Sequence, residues 1–240
     1  MEIVLTIAGS DPSGGAGIQQ DLKTITACGC YGATVITSLT SQNTLGVQSA
    51  MAVPADVVAS QLQSVLSDLR PSAVKIGMIP DRYVAAAIVR ELRDVRVPIV
   101  YDPVMISTSG YPLMAPDAID YIAQHLFPLC TLITPNLLEA QRIGVYSLSA
   151  ACLVKGGHAD SAQMTDILYM PDGTTHQYTT PKIVTGNLHG TGCTLSSAIA
   201  SYLALGCTLP DAVAQAKDYI TSAILRSVDI HIGHGNGPLV

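Results

Sequence analysis

Short apolar runs alternate with stretches of helical character along this chain, and that alternation limits the possible folds more than any other feature. Strand-like runs fall near 3–8, 33–39, 74–78, 98–102, 131–134 and 151–155, and helical ones near 15–28, 55–69, 82–94, 116–126, 192–205 and 209–227. Alternation of this kind predicts an α/β protein with a mostly parallel sheet and helices on both faces. Pro54 and Pro116 stand where proline suits a helix's first turn, and Asp81 is placed to cap the helix that follows. Asp172-Gly173, inside 167–178, reads as a tight hairpin turn and predicts two antiparallel strands late in the sheet. At 240 residues the chain can bury one large core, so residues 1–240 are read as a single domain.

One connection is short. About sixteen residues separate the strand ending at Thr134 from the one starting near Ala151, and they must hold a helix over 137–143 and a return crossover. A parallel crossover needs roughly a dozen residues or more. The join Gly144-Val145-Tyr146-Ser147-Leu148-Ser149 therefore reads as a deletion, or as the place where a mobile stretch is missing.

Two glycine-rich segments carry the chemistry. Asn187-Leu188-His189-Gly190-Thr191-Gly192-Cys193 leads straight into an apolar helical run. A helix start presents N–H groups without intrahelical partners, and glycines let a backbone close around an anion. A cysteine there is expected to have its thiolate stabilised, which suits a base or nucleophile. The other segment, residues 2–21, runs from an apolar strand through a loop with Gly9, Gly14, Gly15 and Gly17 into a helix. That order suits a small-molecule or phosphate site at the carboxyl end of a parallel strand. It is neither a Walker A loop nor a G-x-G-x-x-G.

Composition narrows the partners. Hydrophobic residues make up 48% and charged ones 12%, yet no apolar run approaches the roughly 18 residues of a membrane span. The expectation is extensive burial, in the core and in a homodimer interface. A net charge of −6 argues against nucleic acid or an anionic membrane as partner. The six cysteines (28, 30, 130, 152, 193 and 207) form neither a C-x-x-C pair nor a zinc spacing. With Met1-Glu2 leading directly into a strand, reduced thiols in a cytoplasmic enzyme are expected.

Taken in order, AGSDPSGGAGIQQDLKT near the start, LVKGGH and HGTGCTLS resemble the hydroxymethylpyrimidine/phosphomethylpyrimidine kinases of thiamin biosynthesis. These belong to the ribokinase-like superfamily and stand close to the vitamin B6 kinases. SLTSQNTLGVQ (38–48), VKIGMI (74–79), VYDPVM (100–105), LITPNLLEA (132–140) and IGHGNGPL (232–239) also look like family segments, so the resemblance spans nearly the whole chain. It implies a three-layer sandwich, a further helix after the Asn-x-x-Glu segment that this chain lacks, and phosphoryl transfer from ATP with Mg²⁺.

The resemblance also implies roles. Cys193 would be the base, with the N–H groups of Gly190, Thr191, Gly192 and Cys193 forming an anion hole. Lys155 ends an otherwise apolar strand, where a lysine needs an anionic partner. The resemblance makes that partner ATP phosphate, with Lys217 also near the nucleotide. Asn136 and Glu139, spaced i,i+3 on one helix face, would hold Mg²⁺, and Asp102 at a strand end would share the metal or orient a phosphate. Gly9, Asp21, Gln42, Met78 and Val104 would surround the pyrimidine. In that set Gln42 reads the aminopyrimidine edge, Asp21 accepts from its amine, and Met78 and Val104 form apolar walls. His158 and His189 flank these loops, and the resemblance gives them no role.

The leading expectation is ATP-dependent phosphorylation of 4-amino-5-hydroxymethyl-2-methylpyrimidine and then of its monophosphate. A pyridoxal or pyridoxine kinase is the second, because both substrates are methylated nitrogen heterocycles with a hydroxymethyl arm. A non-catalytic binder of either heterocycle is the third, and the Gly-Thr-Gly-Cys segment argues against it.

Overall fold

The computed structural model describes residues 1–107, 109–144, 149–156 and 162–240. His158 and most of the 144–149 join lie outside them. The described strands form one sheet: β1 (Ile3–Ser10), β2 (Tyr31–Asn43), β3 (Gly46–Ala52), β4 (Ala73–Ile76), β5 (Ile99–Tyr101), β6 (Leu132–Ile133), β7 (Ala151–Val154), β8 (Gln163–Tyr169) and β9 (Thr175–Pro181). Their order is β3-β2-β1-β4-β5-β6-β7-β8-β9. Strands β2, β1, β4, β5, β6 and β7 pair in parallel, and β3, β8 and β9 add antiparallel edges. The Asp172-Gly173 hairpin is present as predicted. The β2–β3 hairpin was not expected from the sequence.

Helices cover both faces. Residues of α2 (Ala55–Asp68), α3 (Arg82–Leu92) and α4 (Pro116–His125) pack into one core with Leu5, Ile7, Val74 and Ile76. The opposite core joins Val4, Ala73 and Val100 to α1 (Gly17–Ala27), α6 (Thr191–Ala204) and α7 (Leu209–Ser227). Because side chains alternate along a strand, Thr6 and Lys75 lie on the face that carries α1 and α6, although their neighbours are apolar. Helix α6 is buried from Thr194 to Ser201, including Ser196 and Ser197.

Strand order reverses between β1 and β4, since the chain leaves β1 for β2 and returns on its other side. In open α/β sheets the carboxyl ends at such a switch point form the natural crevice. Here Asp11, Gly77, Asp102, Thr134 and Lys155 each follow one of these strand ends. The tight crossover does occur: β6 and β7 are adjacent and parallel, with Leu132 opposite Ala151 and Ile133 opposite Cys152. Among its described residues it holds the seven-residue α5 (Leu137–Ile143), stopped by Gly144 in the left-handed region.

Candidate active site

The two glycine-rich segments, nearly the whole chain apart in sequence, lie against each other. A Cβ on Gly190 would stand 1.8 Å from the Gly15 carbonyl oxygen, and one on Gly15 would meet the His189 ring at 2.3 Å. Gly190 also has φ of 82°, where a side chain is strained. Asp11 organises the first loop. Its carboxylate accepts from the backbone N–H groups of Ser13, Gly15 and Ala16 and from the Ser13 hydroxyl.

Cys193 sits in the first turn of α6, partly exposed. One turn further on, the Ser197 hydroxyl donates to Asp21 Oδ1 at 2.8 Å. The same carboxylate accepts from Thr6 at 2.6 Å and from Lys75 Nζ at 2.8 and 2.7 Å. Both members of the Lys75–Asp21 pair are 0% exposed. Asp21 is therefore saturated beneath the cleft and has no lone pair facing a substrate amine, contrary to the sequence expectation. The thiol also departs from expectation. Burial pushes it up to about 11, Lys75 pulls it down, and Asp21 and Asp102 push it up again. Desolvation thus outweighs the pull of Lys75, and near neutral pH the group is a thiol, not a thiolate.

Beside Cys193, Asp102 Oδ1 accepts from Lys155 Nζ at 2.7 Å and from the Thr134 hydroxyl at 3.0 Å. Oδ2 would lie 3.1 Å from a Cβ on Gly192, and Lys155 Nζ 3.5 Å from it, so glycine leaves the space between them open. The N–H of Thr191 donates back to Leu188 at 3.3 Å. That leaves Gly190, Gly192 and Cys193 as the donors of the expected anion hole. Burial lowers the Lys155 pKa, but the anionic neighbours, Asp102 first and then Glu139, raise it more, so the ammonium keeps its charge.

Asn136 and Glu139 form a capping box on α5. Asn136 Oδ1 accepts from the Glu139 N–H at 2.9 Å, and Glu139 Oε2 accepts from the Asn136 N–H at 2.8 Å. Burial raises the Glu139 pKa, and Lys155 partly opposes this. Among the described residues no three His, Cys, Asp or Glu side chains converge as a metal cage. Hard oxygens from Glu139 and Asp102 at one rim suit Mg²⁺, which keeps most of its waters and takes one or two carboxylates plus phosphate. Lys217 is not free at this rim. Its Nζ pairs with Asp166 Oδ2 at 2.7 Å, and Asp166 Oδ1 accepts the Gly156 N–H at 2.9 Å. It therefore braces the turn that carries Lys155.

Gly9 and Met78 touch: a Cβ on Gly9 would be 2.9 Å from the Met78 sulfur. Val104 follows Asp102 and is half-buried. Gln42, near the tip of the β2–β3 hairpin, lines a cavity of about 210 Å³ with His189, Ser107, Ser109 and Asn236. A larger hollow, about 450 Å³, lies among α2, α3 and α4 and includes none of the strand-end residues. The smaller cavity has the chemistry. The C-terminal segment closes it, with the N–H of Asn236 donating to the Thr44 carbonyl at 2.9 Å and that of His189 to Gly237 at 3.1 Å.

Sequence reasoning missed Lys75, Ser197, Asp11 and His189. Lys75 carried a readable signal, a lone lysine in an apolar strand, which is the argument applied to Lys155.

A mostly parallel sheet with a switch-point crevice, an N-terminal glycine loop against a Gly-x-Gly-Cys helix start, and a lysine–carboxylate pair beside it define a small-molecule kinase of the ribokinase-like fold. The family model for phosphomethylpyrimidine kinase matches residues 11–150 and 145–240. The hydroxymethylpyrimidine/phosphomethylpyrimidine kinase of Escherichia coli is 42% identical over 254 aligned positions, covering 98% of this chain and 95% of the relative. A phosphomethylpyrimidine kinase crystal structure from Clostridium difficile is 41% identical, covers 93% of this chain and 100% of its own, and has a TM-score of 0.80. An ADP complex of Bacillus subtilis pyridoxal kinase is 30% identical, covers 100% and 97%, and has a TM-score of 0.90. The two measures rank the last two oppositely. Backbone similarity reports the shared fold, and identity, which includes the site residues, is the better guide to chemistry. The chain belongs to the phosphomethylpyrimidine kinase family. The family match breaks at 145–150, where the crossover is short, and the 254 aligned positions exceed this chain's 240 residues, so the relative has residues with no counterpart here.

Proposed function

We propose that this protein phosphorylates 4-amino-5-hydroxymethyl-2-methylpyrimidine with ATP, and then its monophosphate to the diphosphate, in thiamin biosynthesis. The observation that carries this reading is the packing of the Gly-x-Gly-Cys helix start against the N-terminal glycine loop, with Asp102 and Lys155 beside Gly192 and Gln42 beside His189.

The pyrimidine binds on the hairpin side with its hydroxymethyl arm towards Cys193. The Gly190, Gly192 and Cys193 N–H groups and Lys155 receive the phosphoryl group, stabilising charge that spreads over its oxygens in transfer. Cys193 takes the hydroxyl proton. Because its thiol sits near about 11, the thiolate is scarce near neutrality but strongly basic, and Lys75 below it favours that form. Glu139 and Asp102 would hold Mg²⁺, which when bound would supply charge neutralisation to the polyphosphate. We assign the protein to the cytoplasm as a homodimer. No described helix is long and apolar enough to cross a membrane, and the net charge of −6 does not favour nucleic acid.

A panel of kcat/KM values with ATP tests this reading against its B6 alternative. The expected order places hydroxymethylpyrimidine and its monophosphate above pyridoxal and pyridoxine. Higher values for the B6 vitamers would reverse the assignment.

A further inference from the structure

His189 Nε2 faces two side chains at once, Asp11 Oδ2 at 2.8 Å and the Gln42 carboxamide at 3.0 Å. Asp11 already accepts four hydrogen bonds from Ser13, Gly15 and Ala16. A carboxylate only accepts, so the Nε2 proton belongs to this contact, whatever the charge of the ring. Nε2 then has no lone pair to offer, and the Gln42 atom beside it must be the carbonyl oxygen. The other end of the carboxamide gives a second, independent constraint. It lies 3.5 Å from Thr40 Oγ1, whose single hydrogen is donated to the Ser10 carbonyl at 2.9 Å. Towards Gln42 the threonine can only accept, so the amide nitrogen belongs on that side. The structure places the Gln42 nitrogen towards His189 and the oxygen towards Thr40, but the two exchange by a half-turn and only such partners tell them apart, so the carboxamide is turned over here.

We infer that His189 and Thr40 are positioning residues that lock the polarity of the Gln42 carboxamide, oxygen towards His189 and NH₂ towards Thr40, and so make the site selective for a cyclic amidine. One oxygen lone pair and one N–H remain for a ligand, side by side. An exocyclic amine next to a ring nitrogen matches them in one orientation. A lactam edge, ring N–H beside C=O, presents donor to donor and acceptor to acceptor. Turning the ring over would relieve that mismatch but would swing the hydroxymethyl arm away from Cys193. The inference rests on the proposed reading that Gln42 faces the pyrimidine while the arm faces Cys193.

Dissociation constants of the 4-amino substrate and its 4-oxo analogue, measured without nucleotide, test this. The wild-type protein should prefer the amino form by about a hundredfold or more, because reversed hydrogen bonds leave buried polar groups unpaired. In His189→Leu the amide can turn, and the preference should fall by roughly tenfold or more. His189→Gln, whose NH₂ can reach both Asp11 and Gln42, should recover most of it. Thr40→Val releases the other end, should also reduce the preference, and stands in if the leucine variant does not fold. A preference unchanged in both His189→Leu and Thr40→Val would overturn the inference alone. Absence of amino-form binding to the wild-type protein would overturn the functional reading and this inference together.

Discussion

Cys193 shows how burial and charge compete at one atom. A helix start and a lysine favour the thiolate, but desolvation dominates and the group rests near about 11. The sign follows directly: a base with a raised pKa is mostly protonated below it, so its contribution grows as pH rises towards that value. Between about pH 7 and 9, kcat/KM for the pyrimidine should climb by close to tenfold per pH unit, and Cys193→Ala should flatten the profile. The same variant should lose about 10²–10⁴-fold in turnover while still binding the pyrimidine. A steep profile retained in the alanine variant would assign the proton to another group. Gly190 makes a second residue-scale test. With φ of 82° and a would-be Cβ 1.8 Å from the Gly15 oxygen, Gly190→Ala must separate the two loops. It should cost at least about 2 kcal/mol in urea unfolding and most activity. Wild-type stability would contradict the close approach.

At the scale of elements, Asp21 ties four of them together: Thr6 of β1, Lys75 of β4, Ser197 of α6, and its own α1. Removing one charge from a fully buried pair leaves the other uncompensated. Lys75→Met should destabilise by about 3–5 kcal/mol, and adding Asp21→Asn should return part of that. Urea midpoints of the two variants decide it, and a single variant as stable as wild type would refute the pairing. The elements themselves were largely legible. Helices α1 to α7 and the parallel strands followed from hydrophobic period and caps. Strand β3 did not, because its residues are mostly exposed and its Thr44-Leu45 turn lacks the usual Asn-Gly signature. The Asn136-x-x-Glu139 spacing was read towards metal, and the same spacing is a capping box, which both side chains in fact form. Asp21 was placed at the pyrimidine by the family resemblance, and the sequence alone does not show that Lys75 lies across from it. His189 was passed over for the same reason: its partners Asp11 and Gln42 are far away along the chain.

The whole molecule brings these parts to one edge of one sheet. Loops from residue 9 to residue 237 meet above the switch point, and the tail that carries Asn236 closes the cavity beside Gln42. On the proposed reading the described residues provide one pyrimidine pocket and one phosphoryl cradle, so both phosphorylations use the same site in succession. The most direct test is ³¹P NMR of the protein with ATP and hydroxymethylpyrimidine, following phosphorus-bearing products over time. A monophosphate signal that rises and then gives way to a diphosphate, with ADP formed at each step, is the expected result. ADP with inorganic phosphate alone, or a monophosphate that accumulates without ever being converted, would contradict it.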